Sequence, residues 1–275
     1  MIRKKNYWVG LLPLFIIAIM FLFVPIIIMF LASFQLDVTN EFSMNNYIQA
    51  LTNPYYYQAF GNSILIAAVS SVIGIVGSLI FSYALIGLSE SAQEKLTLFS
   101  NLAANFAGIP LAFGFIIILG NSGLLKMVFP ILKSFDLYTW KGLVLTYTYF
   151  QIPLATLFIY PVMRKVKKEW QESAEMLGAT TFLYLRKVVF PFLVPTISGT
   201  FAILFANGMG TYETAYALVS SNVGLITTRI AALVAGDVYA KPNVGSALSV
   251  VFVVSMICVI FISQYTMKKL RKDLA

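Results

Sequence analysis

Residues 6–36 contain no charged side chain, and this run is the feature that most constrains what the chain can fold into. A helix needs about 20 apolar residues to cross the hydrocarbon core of a bilayer, so the run is long enough to span it. Three basic residues precede the run, as in a secretory signal, but its length and the lack of a small-residue cleavage site before Gln35 argue against removal. We therefore expect an uncleaved first membrane span over residues 8–34.

Five more apolar runs follow along the chain. Hydrophobic residues make up 59% of the 275 residues and charged residues only 11%, and the mean hydropathy is +0.84, which is typical of an integral membrane protein. We predict an all-α polytopic membrane protein with six transmembrane helices in a single domain over residues 1–275. The predicted spans cover residues 8–34, 62–88, 98–119, 142–163, 188–212 and 243–267.

The positive charges are distributed unevenly between the two sides of this arrangement. With both termini on one side, 14 of the 19 Lys and Arg residues fall at the termini and in the loops of that side, and five fall in the opposite loops. Cytoplasmic loops of membrane proteins are enriched in Lys and Arg, so we predict cytoplasmic N- and C-termini. The net charge of +8 follows from this bias and does not indicate a nucleic-acid partner.

Several kinds of chemistry are excluded by composition. Histidine is absent and Cys258 is the single cysteine, so the chain has no imidazole metal ligand, no histidine acid–base catalysis and no internal disulfide. The sequence contains no G-x-x-x-x-G-K-[ST] loop for nucleotide phosphates. It also lacks paired acids at catalytic spacing within a predicted span. We therefore expect a chain that is not an enzyme and binds no cofactor itself.

One polar, charge-dense segment interrupts the apolar sequence at residues 164–187, between the fourth and fifth predicted spans. Residues 169–177 are mostly good helix formers, and acids lie near their start, where the helix dipole favours negative charge. Trp170, Ala174 and Leu177 recur at steps of four and three. We expect these three residues to share one apolar face, which is the kind of surface that a partner's groove accepts.

This predicted helix has a clear stop signal. Gly178 follows it, and glycine adopts the left-handed conformation of a helix end without a Cβ penalty. Thr180 or Thr181 is then expected to cap the next helix, which leads into the fifth predicted span. The segment therefore predicts a short helix, a break and a second helix.

The same residues resemble a known motif, the EAA loop of permease subunits of ATP-binding-cassette (ABC) importers. Ser173 stands where the motif has its first alanine, and Phe190 stands before the proline where leucine is usual. The resemblance extends from about residue 62 to the C-terminus and indicates type I, binding-protein-dependent importers of the polyamine, iron, thiamine and phosphonate branch. It is carried by Glu172-Ser-Ala174, Leu177-Gly178-Ala179, Pro191 and Pro195.

The resemblance implies a set of partners. Residues 164–187 would hold a cytoplasmic coupling helix that docks on a separate ATPase dimer, which binds ATP and Mg²⁺. A second, related permease would complete the pathway, an extracytoplasmic binding protein would deliver the substrate, and the location would be the bacterial plasma (inner) membrane. Glu172 would anchor the loop through charge-assisted hydrogen bonds. The residues expected to couple to the ATPase are Glu172, Ser173, Ala174, Leu177, Gly178 and Ala179.

The substrate is indicated only by a few polar residues. Glu213 lies beside Tyr212 at the outer end of the fifth predicted span, and a carboxylate next to aromatic rings suits a cation such as spermidine or putrescine. The alternatives for Glu213 are a contact with the binding protein or a mark of the membrane edge. Arg229 would equally suit an anion such as a phosphonate, and thiamine and ferric iron remain open. Gln151 either lines the pathway or satisfies backbone groups freed by Pro153.

A second class of function is a stand-alone secondary transporter. Such a protein is expected to carry charged residues deep in its spans, and it often contains inverted repeats. The predicted spans here lack charges in the middle of the membrane. This pattern favours the importer permease.

Overall fold

The structure is a computed structural model, and it describes residues 7–220, 222–236 and 240–273. These residues form no strand beyond an isolated antiparallel bridge between Gln35 and Phe42. Six helical stretches among them are long and apolar enough to cross a membrane, so the predicted all-α polytopic fold is confirmed. The candidate spans are Leu11–Ala32, Pro54–Ile86, Ile109–Val128, Trp140–Met163, Thr181–Gly210 and Pro242–Tyr265.

The helices follow one another with short connections. In chain order they are α1 (Tyr7–Ala18), α2 (Val24–Ala32), α3 (Asn45–Thr52), α4 (Pro54–Ile86), α5 (Glu90–Asn105), α6 (Ile109–Leu119), α7 (Leu124–Val128), α8 (Trp140–Met163), α9 (Lys168–Met176), α10 (Thr181–Tyr184), α11 (Phe190–Gly210), α12 (Glu213–Val219), α13 (Ile226–Ala235) and α14 (Pro242–Asp273). Two π-helical turns, Ile19–Phe23 and Leu185–Val189, join α1 to α2 and α10 to α11. A 3₁₀ turn, Pro130–Ser134, follows α7.

The second span begins earlier in the structure than the predicted residue 62. Helix α4 starts at Pro54, where the missing N–H of proline has no intrahelical partner to lose. The side chain of Asn53 accepts a hydrogen bond from the backbone N–H of Tyr55 at 3.0 Å. This cap allows the tyrosine-rich stretch, which precedes the predicted second span, to form the first turn of the helix.

The third span differs more from its predicted range of 98–119. Helix α5 ends at Asn105 and α6 begins at Ile109, so the chain breaks inside the predicted span. Gly108 has a φ of +81°, which helical residues do not adopt, and Pro110 follows it at the start of α6. The candidate span of the structure therefore lies after the break, at Ile109–Val128.

The chain divides into two compact units by contact density. The first comprises residues 1–57 and 229–254. Within it, the side-chain amide of Asn46 donates to the carbonyls of Ser33 at 3.1 Å and Gln35 at 2.7 Å, which fixes α3 on the end of α2. Asp37 accepts from the backbone N–H of Asn243 at 2.8 Å and so caps the start of α14. No residue of the Leu11–Ala32 stretch is buried.

The second unit comprises residues 58–228 and 255–275 and contains two apolar clusters. Because lipid is as apolar as these side chains, close van der Waals packing holds the helices together here. The single domain predicted from the sequence remains a prediction. The buried core of the first cluster is Ile66, Leu111, Ala112, Leu137, Leu143, Val144, Tyr147, Phe150, Ala215, Leu218, Val219 and Leu225. That of the second cluster is Ile75, Ala155, Ile159, Met163, Tyr184, Val189, Leu193 and Leu204.

Candidate functional site

Helix α9 occupies the segment where the sequence predicts a coupling helix, and it ends as predicted. Gly178 has a φ of +78°, in the left-handed region. The backbone N–H of Ala179 donates to the carbonyl of Ala174 at 3.0 Å, and that of Gly178 donates to the carbonyl of Glu175 at 2.9 Å. These two bonds form a Schellman motif, which satisfies carbonyls at the helix end. The predicted glycine stop is thus present in the structure.

The next helix begins directly after this turn. The hydroxyl of Thr180 accepts a hydrogen bond from the backbone N–H of Leu183 at 3.3 Å, so Thr180 is the N-cap of α10. Helix α10 continues through the π-helical turn into α11, where Pro191 and Pro195 lie. Because proline has no N–H, neither residue can complete the regular hydrogen-bond ladder, and such positions favour a local change of helix type.

Trp170, Ala174 and Leu177, which the sequence predicts on one apolar face of α9, are not equally covered by the rest of the chain. Trp170 and Ala174 are half-buried and pack against the second cluster. Leu177 is 89% exposed. Its backbone N–H still donates to the carbonyl of Ser173 at 3.3 Å, so Leu177 follows the helical turn, but it lies at the end of the helix, where its side chain is uncovered.

The inward face of α9 contacts α11 through a pair of rings. The ring of Trp170 meets that of Phe192 edge to face, with centroids 5.4 Å apart and an interplanar angle of 79°. The outward end of the helix is apolar and open: Met176 is 90% exposed, and Phe182 in α10 is 72% exposed. The helix is therefore fixed on its own subunit by one side and presents an uncovered apolar tip.

The polar residues of the motif have modest contacts within the chain. Glu172 forms an ion pair with Lys168 one turn earlier at 3.6 Å, and both side chains are mostly exposed. Such exposed pairs contribute little to stability, and the anchoring of the loop by Glu172 stays a prediction. The hydroxyl of Ser173 donates to the carbonyl of Glu169 at 2.7 Å. The Glu172 carboxylate therefore remains accessible to a partner.

Gln151 lies in the packed interior of the second unit, with no exposed surface. Its amide nitrogen donates to the carbonyl of Leu204 on α11 at 3.4 Å, and its side-chain oxygen has no hydrogen-bond partner. A Cβ at Gly74 would lie 3.0 Å from the Cβ of Gln151, and a Cβ at Gly208 would lie 3.0 Å from its amide nitrogen. Gln151 is thus held where α4, α8 and α11 meet, and it bonds a carbonyl of α11 instead of its own helix.

Tyr212 and Glu213 lie at a second break, between α11 and α12. The rings of Tyr212 and Tyr216 stack with centroids 5.5 Å apart, and Glu213, the first residue of α12, is exposed. A Cβ at Gly108 would lie 2.8 Å from a carboxylate oxygen of Glu213. The structure thus brings Glu213 to the break between α5 and α6.

Thr214 completes this junction, and sequence reasoning missed its role. The hydroxyl of Thr214 accepts a hydrogen bond from the backbone N–H of Gly108 at 2.8 Å. The hydroxyl of Tyr147 donates to the carbonyl of Thr211 at 3.2 Å. The interruption at Gly108-Ile-Pro110 is visible in the sequence, but nothing there indicates that Thr214 is its partner.

The two groups of predicted site residues are separate in the structure. The coupling residues lie before the start of α11, whereas Tyr212 and Glu213 follow its end. A helix rises about 1.5 Å per residue, so α11 places roughly 30 Å between them. Arg229, the alternative indicator of an anion, lies in the first unit, where its guanidinium stacks over the ring of Tyr55 at 3.6 Å and donates to its hydroxyl.

Comparison with known proteins identifies the family. Residues 96–272 match the family described as "binding-protein-dependent transport system inner membrane component", which is more than half of the chain. The chain belongs to this family. It is accordingly a multi-pass inner-membrane permease subunit of an ABC importer.

Several curated relatives align over most of this permease. The sulfate transport system permease protein CysT of Salmonella typhimurium is 25% identical over 241 residues, which is 86% of each chain. The spermidine/putrescine transport system permease protein PotC of Escherichia coli is 26% identical over 246 residues, or 87% of each chain. The trehalose transport system permease protein SugB of Mycobacterium tuberculosis is 22% identical over 269 residues, or 94% of this permease and 92% of SugB.

The named cargoes of these relatives differ in charge. Sulfate is an anion, spermidine and putrescine are cations, and trehalose is neutral. The comparisons therefore support an importer permease but do not single out the polyamine branch or a cationic solute.

Solved structures show the same fold. A bacterial ABC transporter involved in the import of the acidic polysaccharide alginate aligns with a TM-score of 0.75 at 15% identity, over 96% of this permease and 95% of the matched chain. The MetNI methionine ABC transporter aligns with a TM-score of 0.59 at 17% identity, over 80% of this permease and 99% of the matched chain.

Proposed function

We propose that this permease forms half of the translocation pathway of a binding-protein-dependent importer and that α9 is its coupling helix. In this proposal a separate ATPase dimer docks on residues 164–187 in the cytoplasm, where both termini of the permease also lie. A second, related permease completes the pathway, and an extracytoplasmic binding protein delivers the solute.

The observation that supports this assignment most directly is the uncovered apolar tip formed by Met176, Leu177 and Phe182. Met176 and Leu177 lie between two candidate spans, and Phe182 lies at the start of the second of them. The surrounding segment is rich in Lys and Arg, yet each of the three side chains is largely exposed. Exposed apolar clusters rimmed by charge are typical of protein interaction sites. The Schellman turn and the packing of the half-buried Trp170 hold the tip in a fixed orientation, which lowers the entropic cost of docking.

The test is co-purification of the tagged permease from a gentle detergent, with identification of every recovered protein. We expect an ATPase, a second permease and a binding protein with the wild-type chain. Leu177→Glu should lose the ATPase because it places a charge in the apolar contact. The control is Val38→Glu at another exposed apolar residue, 92% exposed, outside the coupling loop. Recovery of the wild-type permease without an ATPase would contradict the proposal.

For the solute, we propose a small cation such as spermidine or putrescine, with Glu213 as the residue that attracts it. Support comes from the exposed carboxylate of Glu213 beside the stacked rings of Tyr212 and Tyr216, which suits ion pairing combined with cation–π attraction. The alternatives that the sequence resemblance leaves open are thiamine, ferric iron or a phosphonate, carried by the same machinery.

The solute proposal is tested by uptake into vesicles that contain the whole importer. Labelled spermidine, thiamine, ferric iron, a phosphonate, sulfate and trehalose are compared for wild type, Glu213→Gln and the control Glu41→Gln, which removes an exposed acid elsewhere. We expect uptake of the cation and its reduction by Glu213→Gln alone. Uptake of an anion or a neutral sugar instead, or unchanged cation uptake by Glu213→Gln, would overturn the solute proposal and leave the importer proposal standing.

A further inference from the structure

We propose that Trp170 is the positioning residue through which movement of α9 is transmitted to α11. The proposal rests on the proposed function, because it assumes that an ATPase moves α9. It assigns this role to the residue of α9 that packs on α11, and not to the exposed apolar tip. The coupling residues predicted from the sequence do not include Trp170.

The contacts of α9 divide its residues into two groups. Glu172, Met176 and Leu177 are exposed and available to a partner. Trp170 and Ala174 face the second cluster, and of these two only Trp170 has a side chain large enough to make many contacts with it. Its ring lies edge to face on Phe192, near the start of α11. Trp170 therefore provides a direct side-chain route from the exposed group to α11.

Phe192 belongs to a long continuous helical element. From Thr181 to Gly210, α10, the π-helical turn and α11 run without a break in the helix, and this stretch is one of the candidate spans. Protein interiors are packed as densely as organic crystals, so a displacement at one end of such an element is passed along it as a movement of the whole. Helix α11 is therefore the element that links the coupling helix to the far side of the unit.

The far end of α11 reaches the second break. Gly208 is packed against Gln151 and Ala67, and a Cβ there would lie 3.0 to 3.2 Å from their atoms. At the end of α11, the carbonyl of Thr211 accepts a hydrogen bond from the hydroxyl of Tyr147. The residues that follow shortly after, Glu213 and Thr214, both lie against Gly108. A shift of α11 would thus act on the junction that carries Glu213, the residue assigned to the solute.

A competing route runs through the backbone. Residues 177–180 connect α9 covalently to α10, so the Schellman turn could pass on the movement without Trp170. The two routes are separable because truncation of the Trp170 ring leaves Gly178 and its turn intact. Trp170→Phe keeps an aromatic ring against Phe192, whereas Trp170→Ala removes it.

The test uses the whole importer in lipid nanodiscs, with wild-type, Trp170→Ala and Trp170→Phe permease. Three quantities are measured: the ratio of ATPase to permease, the ATP hydrolysis stimulated by the loaded binding protein, and the spectrum of a nitroxide attached to Gly210→Cys in a Cys258→Ser background. Gly210 suits the label because a Cβ there would meet no atom within 4 Å. The label reports whether the end of α11 moves when ATP is added.

We expect Trp170→Ala to retain the wild-type amount of ATPase, to lose stimulated hydrolysis by roughly tenfold and to lose the ATP-dependent spectral change. Trp170→Phe should keep most of the stimulated hydrolysis and most of the ATP-dependent spectral change. A Trp170→Ala importer that is stimulated and moves as wild type does would show that the backbone route suffices and would overturn the proposal.

Two other outcomes are also decisive. If Trp170→Ala loses the ATPase itself, Trp170 supports docking and does not transmit movement, which also overturns the proposal. If Trp170→Phe loses as much stimulated hydrolysis and spectral change as Trp170→Ala, the aromatic contact with Phe192 does not transmit movement from α9 to α11, and the proposal is overturned. Failure of the wild-type permease to recover any ATPase would instead contradict the proposed function.

Discussion

Thr214 binds both backbone polar groups of Gly108. Its hydroxyl accepts a hydrogen bond from the Gly108 N–H at 2.8 Å and donates to the Gly108 carbonyl at 3.3 Å. The two residues are 106 positions apart, and each lies beside a helix break, one between α5 and α6 and the other between α11 and α12. Backbone groups freed by a break must find partners because the bilayer core offers no water. One buried side chain here bonds both polar groups of Gly108, whose carbonyl also accepts from the backbone N–H of Ala112 at 3.2 Å.

Replacement of Thr214 by Val should therefore destabilise the permease. Valine has nearly the shape of threonine but leaves the buried Gly108 N–H without an acceptor, at a cost of about 1–3 kcal/mol. Thr214→Ser is the matched control, because it keeps the hydroxyl and should unfold close to the wild-type temperature. The measurement is thermal unfolding in detergent. Equal unfolding temperatures for the Val and Ser variants would contradict the role given to this hydroxyl.

The close packing around Gln151 predicts that the loss of stability caused by a larger side chain near the end of α11 depends strongly on its position. Gly208→Leu should destabilise the permease by about 1–3 kcal/mol, because its Cβ would already press on Gln151 and Ala67. A Cβ at Gly210, two residues later, would meet no atom within 4 Å, so Gly210→Leu should be tolerated better. Thermal unfolding and the yield of monodisperse protein report the difference. A Gly208→Leu variant as stable as Gly210→Leu would mean that the three helices are packed less closely than described.

The turn after α9 predicts different effects for two small residues at position 178. The space around Gly178 is open, so a substitution there acts only through its φ of +78°. Alanine in this conformation costs about 1–2 kcal/mol, whereas asparagine adopts it more readily. We expect Gly178→Ala to weaken ATPase recovery and stimulated hydrolysis, and Gly178→Asn to retain more of both. Indistinguishable Ala and Asn variants would show that the left-handed turn is not needed for docking.

The exposed ion pair between Lys168 and Glu172 predicts that replacing either residue leaves stability unchanged, whereas replacing Glu172 lowers the recovery of ATPase. Because both side chains are largely solvated, Lys168→Ala should leave the unfolding temperature unchanged. Glu172→Gln should be equally stable but should recover less ATPase if the carboxylate contacts the partner, as the motif implies. The two variants are compared by unfolding temperature and by the ratio of ATPase to permease. A normal ratio for Glu172→Gln would assign Glu172 to the solvated surface.

The coupling segment illustrates how far sequence reasoning reaches. The helix, its glycine stop and the Thr180 cap were all predictable, since each depends on neighbouring residues and local backbone preference. How much of its apolar stripe is buried was not predictable, because the spacing of Trp170, Ala174 and Leu177 does not show how far other helices cover them. In the structure Trp170 and Ala174 pack against the second cluster, whereas Leu177 at the helix end is exposed.

The membrane spans also divide into features that the sequence predicts and features that only the structure shows. Their number and approximate positions follow from hydropathy and length, because a bilayer requires long apolar helices. The structure instead sets the start of the second span at Pro54 and moves the third beyond Gly108. Hydropathy predicts neither boundary. Asn53 caps a helix that begins in a tyrosine-rich stretch, and Gly108 has a backbone conformation that a helix does not contain.

The sequence by itself determined that this is a helical membrane protein with an EAA-type loop, because charge, apolar length and short motifs are local properties of the chain. Only the tertiary structure decided that Gln151 is sealed between three helices, that Trp170 rests on Phe192 and that Thr214 and Glu213 meet Gly108. The physical reason is that lipid and protein interior are almost equally apolar. Hydrophobic periodicity, which identifies the buried face of a soluble helix, therefore does not reveal which faces of these helices pack together.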